Sequence, residues 1–173
     1  MNAQKVVTVF GSNDSQPGEA AYEVARQAGQ VLGELGYAVA NGGYGGSMEA
    51  SAAGARQAGA HTIGVTCSIW RSKPNPYVRE VVATTVMHER LLRLVELGTG
   101  GYVVLPGATG TLAELAWVWE LMCKRQLERR PIACVGRFWE PLLAMMEAAR
   151  PGSGEVIRLI DAPSELREVF VRA

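Results

Sequence analysis

The chain lacks the features that would direct it to a nucleic acid or a membrane. Its 173 residues carry 17 basic and 17 acidic side chains, and no run of Lys or Arg exceeds two residues. A nucleic-acid or anionic-membrane footprint needs clustered basic charge, which is missing here. No apolar run approaches the ~18 residues of a membrane-spanning helix. We therefore expect no nucleic-acid partner and no membrane association.

Cysteine is also scarce. Cys67, Cys123 and Cys134 form an odd set without CxxC spacing. Such a set indicates reduced thiols rather than a disulfide framework or a metal site. The first residues lead directly into a strand-like run. We expect a cytoplasmic protein with no bound metal and no cofactor.

What the chain does have is a regular alternation of apolar strands and helices. Strands are predicted over residues 5–10, 37–40, 61–66, 81–84, 101–105, 131–135 and 156–160. Helices are predicted over residues 19–35, 47–58, 85–97, 111–123, 139–149 and 164–171. This alternation predicts one α/β domain over residues 1–173, with a mostly parallel sheet and helices on both faces. Ligands of such sheets bind at the carboxyl ends of the strands.

Two glycine-rich turns each follow a predicted strand and precede a helix. The later turn begins at Pro106 and leads into a helix that starts near Thr111. A helix N-terminus presents unpaired N–H groups and binds anions, and glycine allows a ligand close approach. The earlier turn is a weaker signal, because such turns also serve only to pack a helix. The predicted phosphate or nucleotide site comprises Gly42, Gly43, Gly45, Gly46, Met87, Gly107, Ala108, Thr109, Gly110 and Thr111.

Neither turn matches the dinucleotide fingerprint G-x-G-x-x-G in full, and neither contains the Gly-Lys-Ser/Thr of a P-loop. NAD redox chemistry and ATP hydrolysis are therefore disfavoured.

Glu114 has both a structural and a catalytic interpretation. Thr111 and Glu114 have the spacing of a capping box, in which Thr111 caps the helix and Glu114 reaches back to its N–H. The predicted phosphate site favours the catalytic interpretation, because a carboxylate without a catalytic role would repel a phosphate bound next to it.

Arg90 is the most telling charged residue. On a helix over residues 85–97 it falls within the apolar arc, close to Leu94 and Leu97. A buried arginine needs a carboxylate or phosphate partner. The alternatives are an internal ion pair or a side chain that extends to the surface.

These residues resemble the LONELY GUY family, whose members are often labelled lysine decarboxylases. Pro106 to Glu114 is similar to the family pattern Pro-Gly-Gly-x-Gly-Thr-x-x-Glu, and Met87 to Leu91 is similar to Met-x-x-Arg-Lys. The resemblance implies a Rossmann-like nucleotide-binding domain, with Arg90 and Glu114 as the catalytic pair. The chain departs from the pattern at Ala108, Leu91 and Ala113, and alanine at 108 would be strained if that position needed a positive φ.

The activity implied by the resemblance is phosphoribohydrolase chemistry on a nucleoside 5'-monophosphate, either AMP or a cytokinin riboside monophosphate. It also implies a homodimer, which the apolar circumference of the helix over residues 111–123 favours. The alternative is a binding protein without catalysis, similar to the molybdenum-cofactor carriers of the same superfamily. Pyridoxal phosphate chemistry is disfavoured, because Lys5, Lys73 and Lys124 are the only lysines and none has the setting of a Schiff-base lysine.

Overall fold

A computed structural model describes residues 4–171. Its seven strands are β1 Val6–Phe10, β2 Ala38–Asn41, β3 Thr62–Cys67, β4 Glu80–Thr84, β5 Gly101–Val104, β6 Ile132–Val135 and β7 Ile157–Ile160. Its α-helices are α1 Ala20–Glu34, α2 Ser47–Gln57, α3 Met87–Leu97, α4 Thr109–Cys123, α5 Glu140–Ala149 and α6 Leu166–Val169. Two short 3₁₀ segments, Ser153–Val156 and Pro163–Glu165, precede β7 and α6.

The strands form one parallel sheet in the order β4-β3-β2-β1-β5-β6-β7. Every pairing in this sheet is parallel. Strands β2, β3 and β4 follow one another outward on one side of β1, and β5 then pairs with the other side of β1. The direction of winding therefore reverses between β1 and β5, which is where ligands of such sheets bind.

Two apolar clusters lie on the two faces of the sheet. One contains Leu32 of α1, Ala55 of α2 and Leu166 of α6 against the strands. The other contains Leu94 of α3, Leu115 of α4 and Trp139, which precedes α5. The predicted single Rossmann-like α/β domain, with helices on both faces, is confirmed.

The start of α4 differs from the sequence prediction, and the difference excludes the structural interpretation of Glu114. Ala108 is the N-cap residue in an extended conformation, α4 begins at Thr109, and no side chain caps it. Thr111 therefore lies within the first turn, where its side chain is buried. The alternative interpretation of Thr111 and Glu114 as a capping box is wrong, because the chain becomes helical two residues earlier than expected.

The end of the chain also differs from the prediction. The helix predicted over residues 164–171 is a 3₁₀ turn followed by the short α6, which ends at Val169. The helix predicted from residue 85 begins at Met87. Among the described residues, no helix is long and apolar enough to cross a membrane.

Candidate functional site

A cleft of about 420 Å³ opens at the carboxyl ends of the strands, beside the β1–β5 reversal. We call it the first cleft. It is lined by the loop after β1, the turn after β2, the loop after β3, α3 and the start of α4. The lining residues are Gly11, Ser12, Asn13, Asp14, Tyr44, Met48, Trp70, Ser72, Arg90, Ala108, Gly110, Thr111 and Glu114.

The first turn of α4 supplies one wall of the first cleft. The first backbone hydrogen bond of α4 runs from Leu112 N–H to the Ala108 carbonyl, at 3.0 Å. The N–H groups of Thr109, Gly110 and Thr111 therefore have no acceptor within the helix. Ala108 has φ −92°, an ordinary extended value, so alanine is not strained there. The turn keeps its donors available although it lacks the second glycine of the family pattern.

Arg90 is fixed from two sides by backbone carbonyl groups. Its Nε donates to Val65 O at 2.8 Å, and its Nη2 donates to Gly42 O at 2.9 Å. Only 13% of the side chain is exposed. Burial lowers the pKa of the guanidinium, and the nearby Glu114 carboxylate opposes that shift. The helical pattern thus correctly indicated a buried arginine.

Glu114 lies opposite Arg90 across the first cleft. Its Oε1 is 3.8 Å from Arg90 Nη1, which is a single long contact rather than a bidentate pair. No hydrogen bond to this carboxylate is found within residues 4–171. Burial raises the pKa of Glu114 to about 7, although Arg90 acts in the opposite direction. A carboxyl group with such a pKa exchanges protons near neutral pH, as a general acid or base must.

Two aromatic side chains complete the wall beside Arg90. The guanidinium carbon lies 5.8 Å from the ring centre of Tyr44 and 5.3 Å from that of Trp70. The Tyr44 hydroxyl is held by Cys67 N–H at 2.8 Å, and Asn75 Nδ2 donates to Tyr44 O at 2.8 Å. These bonds attach the loop after β3 to the turn after β2. The result is a rigid aromatic surface next to the charged pair.

The glycines of the turn after β2 do not line the first cleft. A Cβ on Gly42 would lie 1.8 Å from Arg90 Nη2, so glycine is needed there for the arginine to reach its carbonyl. A Cβ on Gly45 or Gly46 would meet the loop after β1, and one on Gly43 would meet β3. The turn therefore packs the elements that carry the site, as the weaker signal from the sequence allowed.

The remaining predicted site residues occupy different positions. Ala108, Gly110 and Thr111 line the first cleft, whereas Gly107 faces a neighbouring cavity. Thr109 is exposed at the start of α4. Met87 is 59% exposed at the start of α3 and does not line the first cleft. The binding roles of these residues stay predictions.

Sequence reasoning did not identify the loop after β1 as part of the site. Ser12, Asn13 and Asp14 line the first cleft because the β1–β5 reversal places the β1 loop beside the start of α4. Ser47 N–H and Ser47 Oγ both donate to Ser12 O, which fixes this loop on α2. The first strand of an α/β sheet precedes its reversal point, and that rule could have identified the loop. No comparable signal singles out Trp70 or Ser72.

The family described as "Possible lysine decarboxylase" matches residues 48–169. The chain belongs to this family, and the predicted relationship to LONELY GUY proteins is confirmed. It is 32% identical over 112 residues to an uncharacterized protein of Archaeoglobus fulgidus, which covers 64% of this chain and 70% of that one. It is also 32% identical over 100 residues to the cytokinin riboside 5'-monophosphate phosphoribohydrolase of Mycobacterium tuberculosis, covering 56% of this chain and about half, 53%, of the enzyme.

Solved structures confirm the fold over almost the whole chain. A molybdenum cofactor binding protein from Rippkaea orientalis superposes with a TM-score of 0.74 and 23% identity, covering 96% of this chain and 94% of that one. At this identity the likeness establishes the fold alone.

The name of the matching family does not fit the chemistry of this chain. Lys5, Lys73 and Lys124 are all exposed, and none lines the first cleft. A pyridoxal phosphate enzyme needs a lysine in its site to form the Schiff base. No group of three or more potential metal ligands occurs within residues 4–171. The charged side chains that line the first cleft are instead those of Asp14, Arg90 and Glu114.

Proposed function

We propose that this protein is a phosphoribohydrolase that cleaves the N-glycosidic bond of a nucleoside 5'-monophosphate, with AMP or a cytokinin riboside monophosphate as substrate. The observation that carries the proposal is the position of Glu114 and Arg90 in one cleft with the free N–H groups of α4. The mycobacterial relative is named for the same reaction. That match supports the proposal, although it covers about half of each chain.

The reaction breaks the bond between C1′ of the ribose and the nitrogen of the base. Water adds its hydroxyl group to C1′, and its proton passes to the departing base, giving free base and ribose 5-phosphate. Positive charge develops on the ribose in the transition state, so an ionised carboxylate at this point stabilises it or activates the water. Glu114 is the carboxylate in the first cleft that faces Arg90, and we assign it this role.

The phosphate group is assigned to the start of α4. The N–H groups of Thr109, Gly110 and Thr111 provide donors for an anion, and the helix dipole favours negative charge there. Glu114 follows Thr111 by about one helical turn. This separation suits a ribose whose 5'-phosphate is held at the helix N-terminus. Arg90, fixed by two carbonyl groups, then orients Glu114 and balances its charge.

A screen of nucleoside 5'-monophosphates for released base tests the proposed function directly. We expect release of free base and ribose 5-phosphate in equal amounts, and none from the corresponding nucleosides, which lack the phosphate. Binding of a monophosphate without any released base would contradict the enzyme and would favour the alternative, a non-catalytic nucleotide or molybdenum-cofactor carrier.

We also propose that the protein is a homodimer. No side chain of α5 is buried, although the helix is rich in Leu, Met and Ala. Trp117 of α4 is 41% exposed and Met145 of α5 is 57% exposed. A second copy would cover this apolar surface. Light scattering at micromolar concentration should give twice the chain mass, and a monomer mass would overturn the proposal.

A further inference from the structure

A second and larger cavity lies on the other side of the loop after β1. We call it the second cleft. Its volume is about 730 Å³, and it lies at the carboxyl ends of β1, β5, β6 and β7. Its walls are mostly apolar and include Val24, Leu105, Val135 and Phe138. Phe138 is 56% exposed, so a large aromatic surface is available to a ligand.

The two clefts are adjacent and share part of their lining. Ser12, Asp14 and Ala108 line both of them. Ala108 is also the residue that caps α4, so the free N–H groups of that helix begin at the boundary between the clefts. A phosphate held by these groups would have the first cleft on one side and the second cleft on the other. A nucleoside monophosphate would fill only the first.

The charge of the second cleft limits what can fill it. Its lining contains Asp14, Glu19 and Asp161 but no Lys or Arg. Asp161 is paired with Arg137, at 2.7 Å between Oδ1 and Nε, whereas Asp14 and Glu19 have no basic partner within residues 4–171. A further phosphate group in the second cleft would therefore meet the uncompensated negative charge of Glu19, which does not line the first cleft.

The second cleft also contains a polar group that lacks a partner. Ser15 Oγ is buried and has no hydrogen-bond partner within the described chain. Ser15 lines the second cleft, and a buried hydroxyl without a partner is costly unless a ligand or water satisfies it. A ligand group with an apolar body and no negative charge fits the walls and the charge of the second cleft.

We propose that the two clefts hold one ligand, a nucleotide whose 5'-phosphate is esterified to a second, uncharged or cationic group of mainly apolar surface. The nucleoside lies in the first cleft, the phosphate lies at the start of α4, and the second group lies in the second cleft. This inference rests on the proposed function for the placement of the nucleotide. Hydrolysis at C1′ is compatible with it, because the ester is at the opposite end of the ribose.

Calorimetric titration of the full chain tests the inference with three nucleotides. They are AMP, ADP, and the phenyl ester of AMP, which carries an apolar ring on the phosphate. We expect the phenyl ester to bind about fivefold more tightly than AMP, because the ring becomes buried beside Phe138. We expect ADP to bind more weakly than AMP, and Glu19→Gln to narrow that difference.

Phe138→Ala and a control variant show whether the phenyl ring of the ester binds beside Phe138. Phe138→Ala should remove the advantage of the phenyl ester and leave the affinity for AMP unchanged. Tyr77→Ala is the matched control, since Tyr77 is an exposed aromatic residue that lines neither cleft. It should change neither affinity. Glu19→Gln provides the independent measurement if Phe138→Ala does not fold.

The outcomes separate this inference from the proposed function. Exclusion of the phenyl ester while AMP binds and is hydrolysed would overturn the inference alone. Tight binding of the ester through Phe138, without release of base from any nucleotide, would overturn the proposed hydrolase and leave the inference standing. Equal binding of AMP, ADP and the ester would show that the second cleft takes no part.

Discussion

The two glycine-rich turns look alike in the sequence but perform different tasks in the structure. Both follow a buried strand and precede a helix. In the turn after β2, a Cβ on Gly42 would overlap Arg90, and one on Gly46 would overlap the backbone of Asn13. In the turn after β5, a Cβ on Gly110 would meet nothing within 4 Å.

The difference teaches how to interpret glycine in such turns. Glycine next to buried side chains or backbone makes room for packing, and that packing positions the site from behind. Glycine next to open space leaves backbone donors accessible to a ligand. We therefore expect the turn after β2 to support the site and the start of α4 to form it, and the following predictions test this division.

The largest expected effect is the loss of turnover when Glu114 of α4 loses its charge. Glu114→Gln keeps the shape of the side chain and removes its negative charge. Because the proposed role needs that charge, release of base should fall by roughly 10²-fold or more, the usual scale for a general acid or base. Rates of the two proteins under saturating nucleotide give the comparison. A Gln variant with half the wild-type rate would defeat the assignment.

The second prediction concerns the supporting turn. Gly42→Ala should displace Arg90 from the Gly42 carbonyl, since the new Cβ would lie 1.8 Å from Nη2. A misplaced charged group commonly costs about 10–100-fold in rate, and we expect a loss in that range with the nucleotide still bound. Steady-state kinetics and a binding titration measure the two effects. Unchanged kinetics would mean that Arg90 does not need this carbonyl.

The third prediction is a pH dependence set by Glu114. Its pKa is raised to about 7, and the proposed role needs the ionised form. The rate should therefore rise about tenfold between pH 6 and pH 8. A fall in rate over this range would instead identify Glu114 as a proton donor.

The same group provides a control that does not depend on turnover. The folded pKa is above the ordinary value of 4.5, so the stability contributed by the protonated form is present at low pH and is lost as the pH rises through about 7. The wild type should therefore lose about 2–3 kcal/mol of unfolding free energy, relative to Glu114→Gln, between pH 4 and pH 8. Chemical denaturation at both pH values measures this difference.

The smallest effect is expected at the open glycine of the turn after β5. Gly110→Ala should raise the free energy of unfolding by about 0.5–1 kcal/mol, because Gly110 lies in the first turn of α4 and its Cβ meets no other atom. Thermal or chemical denaturation checks this. A lower free energy of unfolding for Gly110→Ala would contradict the conclusion that Gly110, unlike Gly42, is not needed for packing.

The sequence predicted the fold and the buried position of Arg90 because both leave a periodic signal, whereas the pairing of Arg90 with Glu114 was implied only by the resemblance to a known family. Alternating apolar strands and helices define a parallel sheet wherever the tertiary contacts lie. Arg90 was identified because the helical period places it on the apolar face of α3, where charged side chains are rare. The capping box failed because Thr111 and Glu114 have the right spacing for it, whereas the position of the first helical residue depends on how the turn packs. Gly107 shows this, since a Cβ there would overlap the Thr111 side chain.

By itself, then, the sequence determined the α/β class, the order of the elements and the residue types available for chemistry, since these depend on local periodicity and side-chain identity. Tertiary structure decided which loops meet. The reversal between β1 and β5 brings Ser12 and Asp14 to the start of α4, and the loop after β3 places Trp70 beside Arg90. It also raised the pKa of Glu114, because burial removes a carboxylate from water. These properties arise between residues distant in the chain, where no local pattern records them.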